Sequence, residues 1–207
     1  MQRLAAIAAF GGLVALSAGV WIYTQQSASG DPYEQCRATR IAGGADQIGG
    51  PFTLLNKSGE EVTDKDVITK PSLVYFGYTF CPDVCPFDTA RNAEAIDVLT
   101  ERGYDVNPVF ISVDPERDTP EVVGEFAELI HDKMIGLTGT PEQVKAASQA
   151  YRTYYNKQKD GDPEYYLVDH STFTYLVLPE VGFVDFFRRE VTPEQMADRT
   201  ACFIDAS

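Results

Sequence analysis

Most of the chemistry this 207-residue chain can offer rests on four cysteines and two histidines. Cys81 and Cys85 stand four apart in Tyr78-Thr-Phe-Cys-Pro-Asp-Val-Cys-Pro86. Residues four apart share one helical face, so both sulfurs can reach a common atom. Such a pair can form a structural disulfide, cycle as a redox dithiol or ligate a soft metal ion. A redox dithiol usually has two intervening residues, and here there are three. Two thiolates are too few for most metals, so the metal reading requires a third ligand. His170, in Val168-Asp-His-Ser-Thr172, is the candidate. Its bland alternative is a structural or solvated imidazole. A c-type haem site needs Cys-x-x-Cys-His, which is absent, and structural zinc wants four ligands. His131 follows the apolar stretch Val122–Ile130, where an imidazole suits a helix C-terminus.

These residues need a scaffold. Ser72–Gly77 is a short apolar run rich in β formers, which predicts a buried strand. A helix is expected from about Pro86 to Arg102, with Ala90, Ala93, Ile96 and Leu99 at helical spacing and Gly103 as its stop. Val106–Val113 is the next strand. Strand, helix and strand in so short a span predict a parallel βαβ unit. The cysteine pair then falls at the carboxyl end of a strand, where open α/β sheets place their sites. Pro82 and Pro86 cannot both sit in a regular helix, so Cys81 belongs in a loop and Cys85 near the helix start. Helix N–H groups there favour thiolates and lower their pKa.

Phe52–Leu55 and Glu61–Thr63 predict a hairpin around Lys57-Ser-Gly59. Thr119-Pro120, Thr140-Pro141 and Thr192-Pro193 each open a helix, the latter two with Gln three residues after the cap. The first of these should bury Val122, Val123, Phe126, Leu129 and Ile130 on one face. Tyr165–Val168, Phe173–Leu178 and Phe183–Phe187 predict strands, the last two forming a hairpin. A βαβ unit followed by helix, β-hairpin and helix is the thioredoxin-like order. A thioredoxin carries a cis-proline in the loop facing its dithiol. Here that segment reads Asp-His-Ser-Thr, which instead places His170 beside the cysteines.

Three segments, in this order, resemble the motifs of the Sco/SenC family: Tyr75-Phe-Gly-Tyr-Thr-Phe-Cys-Pro-Asp-Val-Cys-Pro86, Val113-Asp-Pro-Glu-Arg-Asp-Thr-Pro120 and Val168-Asp-His-Ser-Thr172. The resemblance covers roughly residues 48–204. It implies a membrane-anchored thioredoxin-fold copper protein that assists cytochrome c oxidase assembly. It further implies that Cys81, Cys85 and His170 hold copper, as Cu(I), Cu(II) or both. The implied role is delivery to the binuclear copper centre, whose oxidase subunit is the partner. Alternatives are a thiol–disulfide reductase acting on that centre's cysteines, and a redox or copper sensor. Delivery needs no covalent substrate chemistry and so no enzyme; the reductase would be one. Two thiolates and an imidazole also suit copper by softness alone. Asp83 and Asp169 are candidates for outer roles beside solvation. Asp114 and Asp118 are motif positions, the latter a cap or loop organiser before Pro120. If Cys81 and Cys85 serve copper, the remaining pair is Cys36–Cys202, expected as a disulfide on parity and compartment.

The compartment follows from the first residues. Leu4–Tyr23 holds no charged side chain and is long enough to span a hydrocarbon core as a helix. Arg3 precedes it, and Trp21 and Tyr23 suit the interface. The expectation is an uncleaved anchor over 1–23, with a cleaved signal peptide as the alternative. A Gly/Ser/Ala-rich tether follows over 24–50, then the domain over 51–207. Either reading exports the domain to an oxidising compartment, periplasm or mitochondrial intermembrane space. The formal net charge is −14, and Arg3 is the only charged side chain before residue 31. The domain is therefore more acidic than the average suggests, which disfavours nucleic acid and anionic lipid heads.

Overall fold

All six residues of strand β3 (Ser72–Gly77) are buried, as an apolar run in the middle of a sheet must be. The computed structural model describes residues 17–21, 31–38, 47–158 and 165–207. The chain divides into a unit of residues 1–35 and a larger one of 36–207. In the first, residues 17–21 are helical and exposed, and the amide of Tyr33 bonds the Asp31 carboxylate. Among the described residues no helix is long and apolar enough to cross a membrane. Of the span expected as an anchor, only 17–21 lie among them.

In the larger unit, β1 (Thr53–Leu55) and β2 (Glu61–Thr63) form the expected antiparallel hairpin, and a single turn, α1 (Asp64–Val67), follows. From β3 the chain enters α2 (Val84–Glu101) and returns as β4 (Asn107–Ser112), parallel to β3. Then come α3 (Pro120–Ile130), β5 (Ile135–Leu137) and α4 (Pro141–Ala150). A small hairpin of β6 (Tyr155–Lys157) and β7 (Val168–His170) precedes β8 (Thr174–Leu178), β9 (Gly182–Phe187) and α5 (Pro193–Asp205). The central sheet runs β5-β4-β3-β8-β9, with β8 and β9 antiparallel. This is the thioredoxin-like α/β arrangement with an N-terminal hairpin.

All three Thr-Pro signals open helices. Each threonine accepts a hydrogen bond from a first-turn amide, and each proline takes a position whose N–H has no helical partner. Both faces of the sheet are filled. On one, the Tyr75 hydroxyl donates to Asp88 of α2 and Phe110 packs on Phe126 of α3. On the other, Tyr151 after α4 packs on Phe76 and Tyr175. Leu129 departs from its expected place: it is 85% exposed, because α3 buries Gly124 and Ala127 beside the expected Val123. Gly136 lets β5 come close to the α3 backbone, where a Cβ would lie 2.5 Å from the Val123 carbonyl oxygen, and Gly124 leaves room for the Lys57 side chain.

Candidate metal centre

β3 ends at Gly77, directly beneath the cysteines. A Cβ on Gly77 would lie 3.0 Å from Cys85 Sγ and 2.9 Å from the Tyr75 ring, so glycine leaves room for the sulfur. Cys81 lies in the loop and Cys85 is the second residue of α2. Pro86 is therefore still in the first turn, where a missing N–H breaks no helical bond. The Cys85 amide donates to Cys81 Sγ at 3.3 Å. Both sulfurs are buried, Cys85 at 1% exposure and Cys81 at 7%.

His170 arrives from β7, paired with Tyr155 of β6. The expectation placed it in a loop before a strand and put a strand at Tyr165–Val168; the ladder forms at Val168–His170 instead. Its Nε2 lies 3.3 Å from Cys85 Sγ, and its Nδ1 lies 2.9 Å from the Ser171 carbonyl oxygen. A carbonyl only accepts, so Nδ1 carries the proton and the Nε2 lone pair faces the sulfurs. The ligand atoms of Cys81, Cys85 and His170 all lie within 4.8 Å of one another. Tyr75 and Tyr78 stand edge-on to the imidazole with centroids at 6.1 and 5.7 Å. A cleft of about 280 Å³, lined by Pro82, Leu167 and Asp169 among others, opens beside the trio. Asp83 and Asp169 are exposed at its rim, and Asp169 accepts from the Gln158 amide.

The pair shares charge unequally. Hydrogen bonding from Cys85, and from the backbone N–H groups of Cys85 and Asp83, holds the Cys81 thiol far below the usual range against the opposing effect of burial. Cys85 is pushed up by its bond to the Cys81 sulfur and by burial. In the reduced protein Cys81 is thus the thiolate. Its alkylation rate by iodoacetamide should be nearly flat between about pH 6 and 8, where an ordinary thiol speeds up roughly tenfold per unit. Mass mapping of the labelled sulfur checks this; a rate at Cys81 that climbs like a free thiol's would contradict it.

Two motif aspartates brace the loop. Asp118 is wholly buried and accepts from the Thr79 amide at 3.0 Å, the Thr79 hydroxyl at 2.5 Å and the Ser112 hydroxyl at 2.5 Å. Burial raises its carboxyl above the ordinary range. Both oxygens are taken up by these donors, so the residue ties the cysteine loop to the end of β4. Asp118→Ala strands these donors and should destabilise the fold by about 2–4 kcal/mol, with faster hydrogen exchange at the Thr79 amide as the local sign. Asp114 instead pairs with Arg117 and accepts from the Tyr166 hydroxyl, both at 2.6 Å. The sequence reading missed Arg117 and Tyr166, which meet only through the fold.

The other candidates lie elsewhere. His131 ends α3 with its side chain 10% exposed, between Asp97 and Asp132 at 3.3 and 3.2 Å, far in role from the trio. Cys36 and Cys202 are joined as a disulfide, with Cα atoms 5.6 Å apart. Both cysteines belong to the larger unit of residues 36–207.

Fold and site together define a thioredoxin-fold domain with a two-sulfur, one-nitrogen site suited to a metal ion. The SCO1/SenC family model matches residues 41–205, and the chain belongs to that family. It is 57% identical to Protein SenC of Rhodobacter capsulatus over 203 residues, 98% of this chain and 90% of that one. It is 47% identical to the mitochondrial SCO1 homolog 1 of Arabidopsis thaliana, over 73% of this chain but only 45% of that protein. Among solved structures it is similar to Arabidopsis thaliana ScoI with copper bound, at 45% identity and TM-score 0.71, covering 76% of this chain and 99% of that one. Yeast Sco1 with copper bound gives 37% identity and TM-score 0.73, over 78% and 90%. BsSco, described as a member of the Sco family of cytochrome c oxidase assembly proteins and as having a disulfide switch, gives 26% and 0.58, over 75% and 93%.

Proposed function

We propose that this chain holds copper on Cys81, Cys85 and His170 and delivers it to the binuclear copper centre of cytochrome c oxidase during assembly. The observation that carries the reading is the convergence of two sulfurs and one bare imidazole nitrogen within 4.8 Å. That donor set is soft, which favours copper over calcium or magnesium, and it is one ligand short of a structural zinc site. Copper-bound relatives of the same fold support it. As a carrier the chain needs no bond-making catalysis. The acceptor's thiolates or imidazoles replace the three ligands one at a time, in the open cleft. Loading requires both thiols reduced, so copper uptake is coupled to the thiol redox state. Residues 1–23 would anchor the chain in the inner membrane as a single pass. The tether over 24–50 and the domain over 51–207 would then lie in the periplasm or the intermembrane space. The Cys36–Cys202 disulfide, a bond that persists in oxidising compartments, and the uncharged span Leu4–Tyr23 support that placement.

A second reading is thiol–disulfide exchange on the oxidase cysteines. The closeness of the two sulfurs, within 4.8 Å, and the disulfide switch described for BsSco favour it. Complementation separates the two. A strain carrying His170→Ala should fail to assemble active oxidase if the chain is a copper carrier. A strain that assembles it normally would favour the reductase, which does not need the imidazole.

A further inference from the structure

The two arms of the site come from distant parts of the chain. The cysteine loop follows β3, and His170 sits on β7. β7 is hydrogen-bonded to β6 in a two-stranded sheet separate from the central one. Strand pairing therefore does not set how far His170 stands from the sulfurs. Something else must hold the loop against the strand.

Arg117 stands between them. Its guanidinium carbon lies 3.7 Å from the ring centroid of Tyr166, 5.0 Å from that of Phe80 and 5.7 Å from that of Tyr78. Tyr78 and Phe80 belong to the cysteine loop, and Tyr166 leads into the histidine strand. The Arg117 side chain is 13% exposed, and its Nη2 is buried without a hydrogen-bond partner. A buried guanidinium with an unmatched N–H group is not placed there for its hydrogen bonds alone. Its Nε grips Asp114, whose other oxygen takes the Tyr166 hydroxyl, so the ion pair and the stack share one ring. Tyr78 then passes the constraint on, edge-on to His170 at 5.7 Å. A planar cation over aromatic faces is a stiff contact of considerable strength when desolvated.

We propose that Arg117 is a positioning residue of the metal centre: packed on Tyr78, Phe80 and Tyr166, it fixes the spacing at which one ion touches Cys81, Cys85 and His170. The inference rests on the copper reading above. Arg117 acts through the two tyrosines and not by touching a ligand atom. A lysine there keeps the charge and the pairing with Asp114 but loses the plane that stacks.

The test is competition for Cu(I) against a chromophoric chelator, using the reduced full chain. Arg117→Lys should bind about 10- to 100-fold more weakly than wild type, as loss of an outer partner of a metal ligand does. In a His170→Ala background the same change should alter affinity by less than about twofold, the usual limit of additivity. Tyr166→Leu, which removes the ring on the histidine arm, should show the same dependence on background. In the copper-free protein, nuclear Overhauser contacts between the Tyr78 and His170 rings should weaken in Arg117→Lys. Binding of Arg117→Lys equal to wild type, or an equal loss in both backgrounds, would overturn the proposal. If His170→Ala binds as wild type does, the metal reading is what fails. The ring contacts in the copper-free protein then decide alone whether Arg117 sets the spacing.

Discussion

Replacing His170 by alanine should weaken copper binding by at least the roughly 100-fold that marks the upper end for losing an outer partner of a ligand. The residue supplies the nitrogen itself. Its Nδ1 is occupied by the Ser171 carbonyl, so the Nε2 lone pair has no competing use and points at the sulfurs. Taking it away leaves two thiols still held by α2 and the Gly77 hollow. Two sulfurs keep a residual hold on Cu(I), so the loss should be deep without being total. Cys81→Ser and Cys85→Ser should each lose more, since each removes half of the soft donors. His170 is half-buried and its strand is stapled by β6, so the alanine variant should fold. A melting midpoint close to wild type, measured beside the copper titration, verifies that affinity and not folding has changed. Copper bound equally tightly by His170→Ala would remove the nitrogen from the site and the carrier reading with it.

Much of this centre is legible along the chain, because its parts are local. A buried strand, a Cys-Pro-Asp-Val-Cys-Pro run and a helix are neighbours in sequence, and prolines dictate which cysteine begins the helix. The Thr-Pro openings are equally local, since one side chain caps one amide a turn away. What stays hidden is whatever depends on two distant segments meeting. β6 and β7 are three residues each, too short to show alternation, and each becomes a strand only against the other. That is why His170 was expected in a loop. Leu129 fits the α3 periodicity yet faces outward, because the close approach at Gly136 selects a different stripe. Arg117 sits in plain view inside a motif, but its value comes from rings located 37 and 39 residues before it and 49 after it. The apolar span Leu4–Tyr23 lies, apart from 17–21, outside the described residues, so its role as an anchor stays with the proposed function.

The second large effect concerns stability and should leave the metal alone. Cys36→Ser with Cys202→Ser should destabilise the domain by about 3–5 kcal/mol, because the bond closes a very long loop. The two residues are 166 apart in sequence, so cross-linking removes much freedom from the unfolded chain. Arg37 lies over Phe203 and reaches the Val184 carbonyl. These contacts hold the segment partly in place without the bond, which argues for the lower part of the range. For a domain of this size the melting midpoint should fall by about 10 °C. Copper affinity should stay within about twofold of wild type, as expected for uncoupled positions. The reason is distance. Cys202 lies near the end of α5, beside the end of α2, where Tyr104 meets Asp205 and Arg102 meets Asp198. Cys85 lies at the opposite end of α2, about 25 Å away along eighteen residues of helix. The chain thus keeps two cysteine pairs under opposite demands in one compartment, one oxidised for stability and one reduced for the metal. Parallel thermal melts and Cu(I) titrations of the double variant measure whether those demands are separable. A large drop in affinity with an unchanged midpoint would show that the bond serves the site and not the fold.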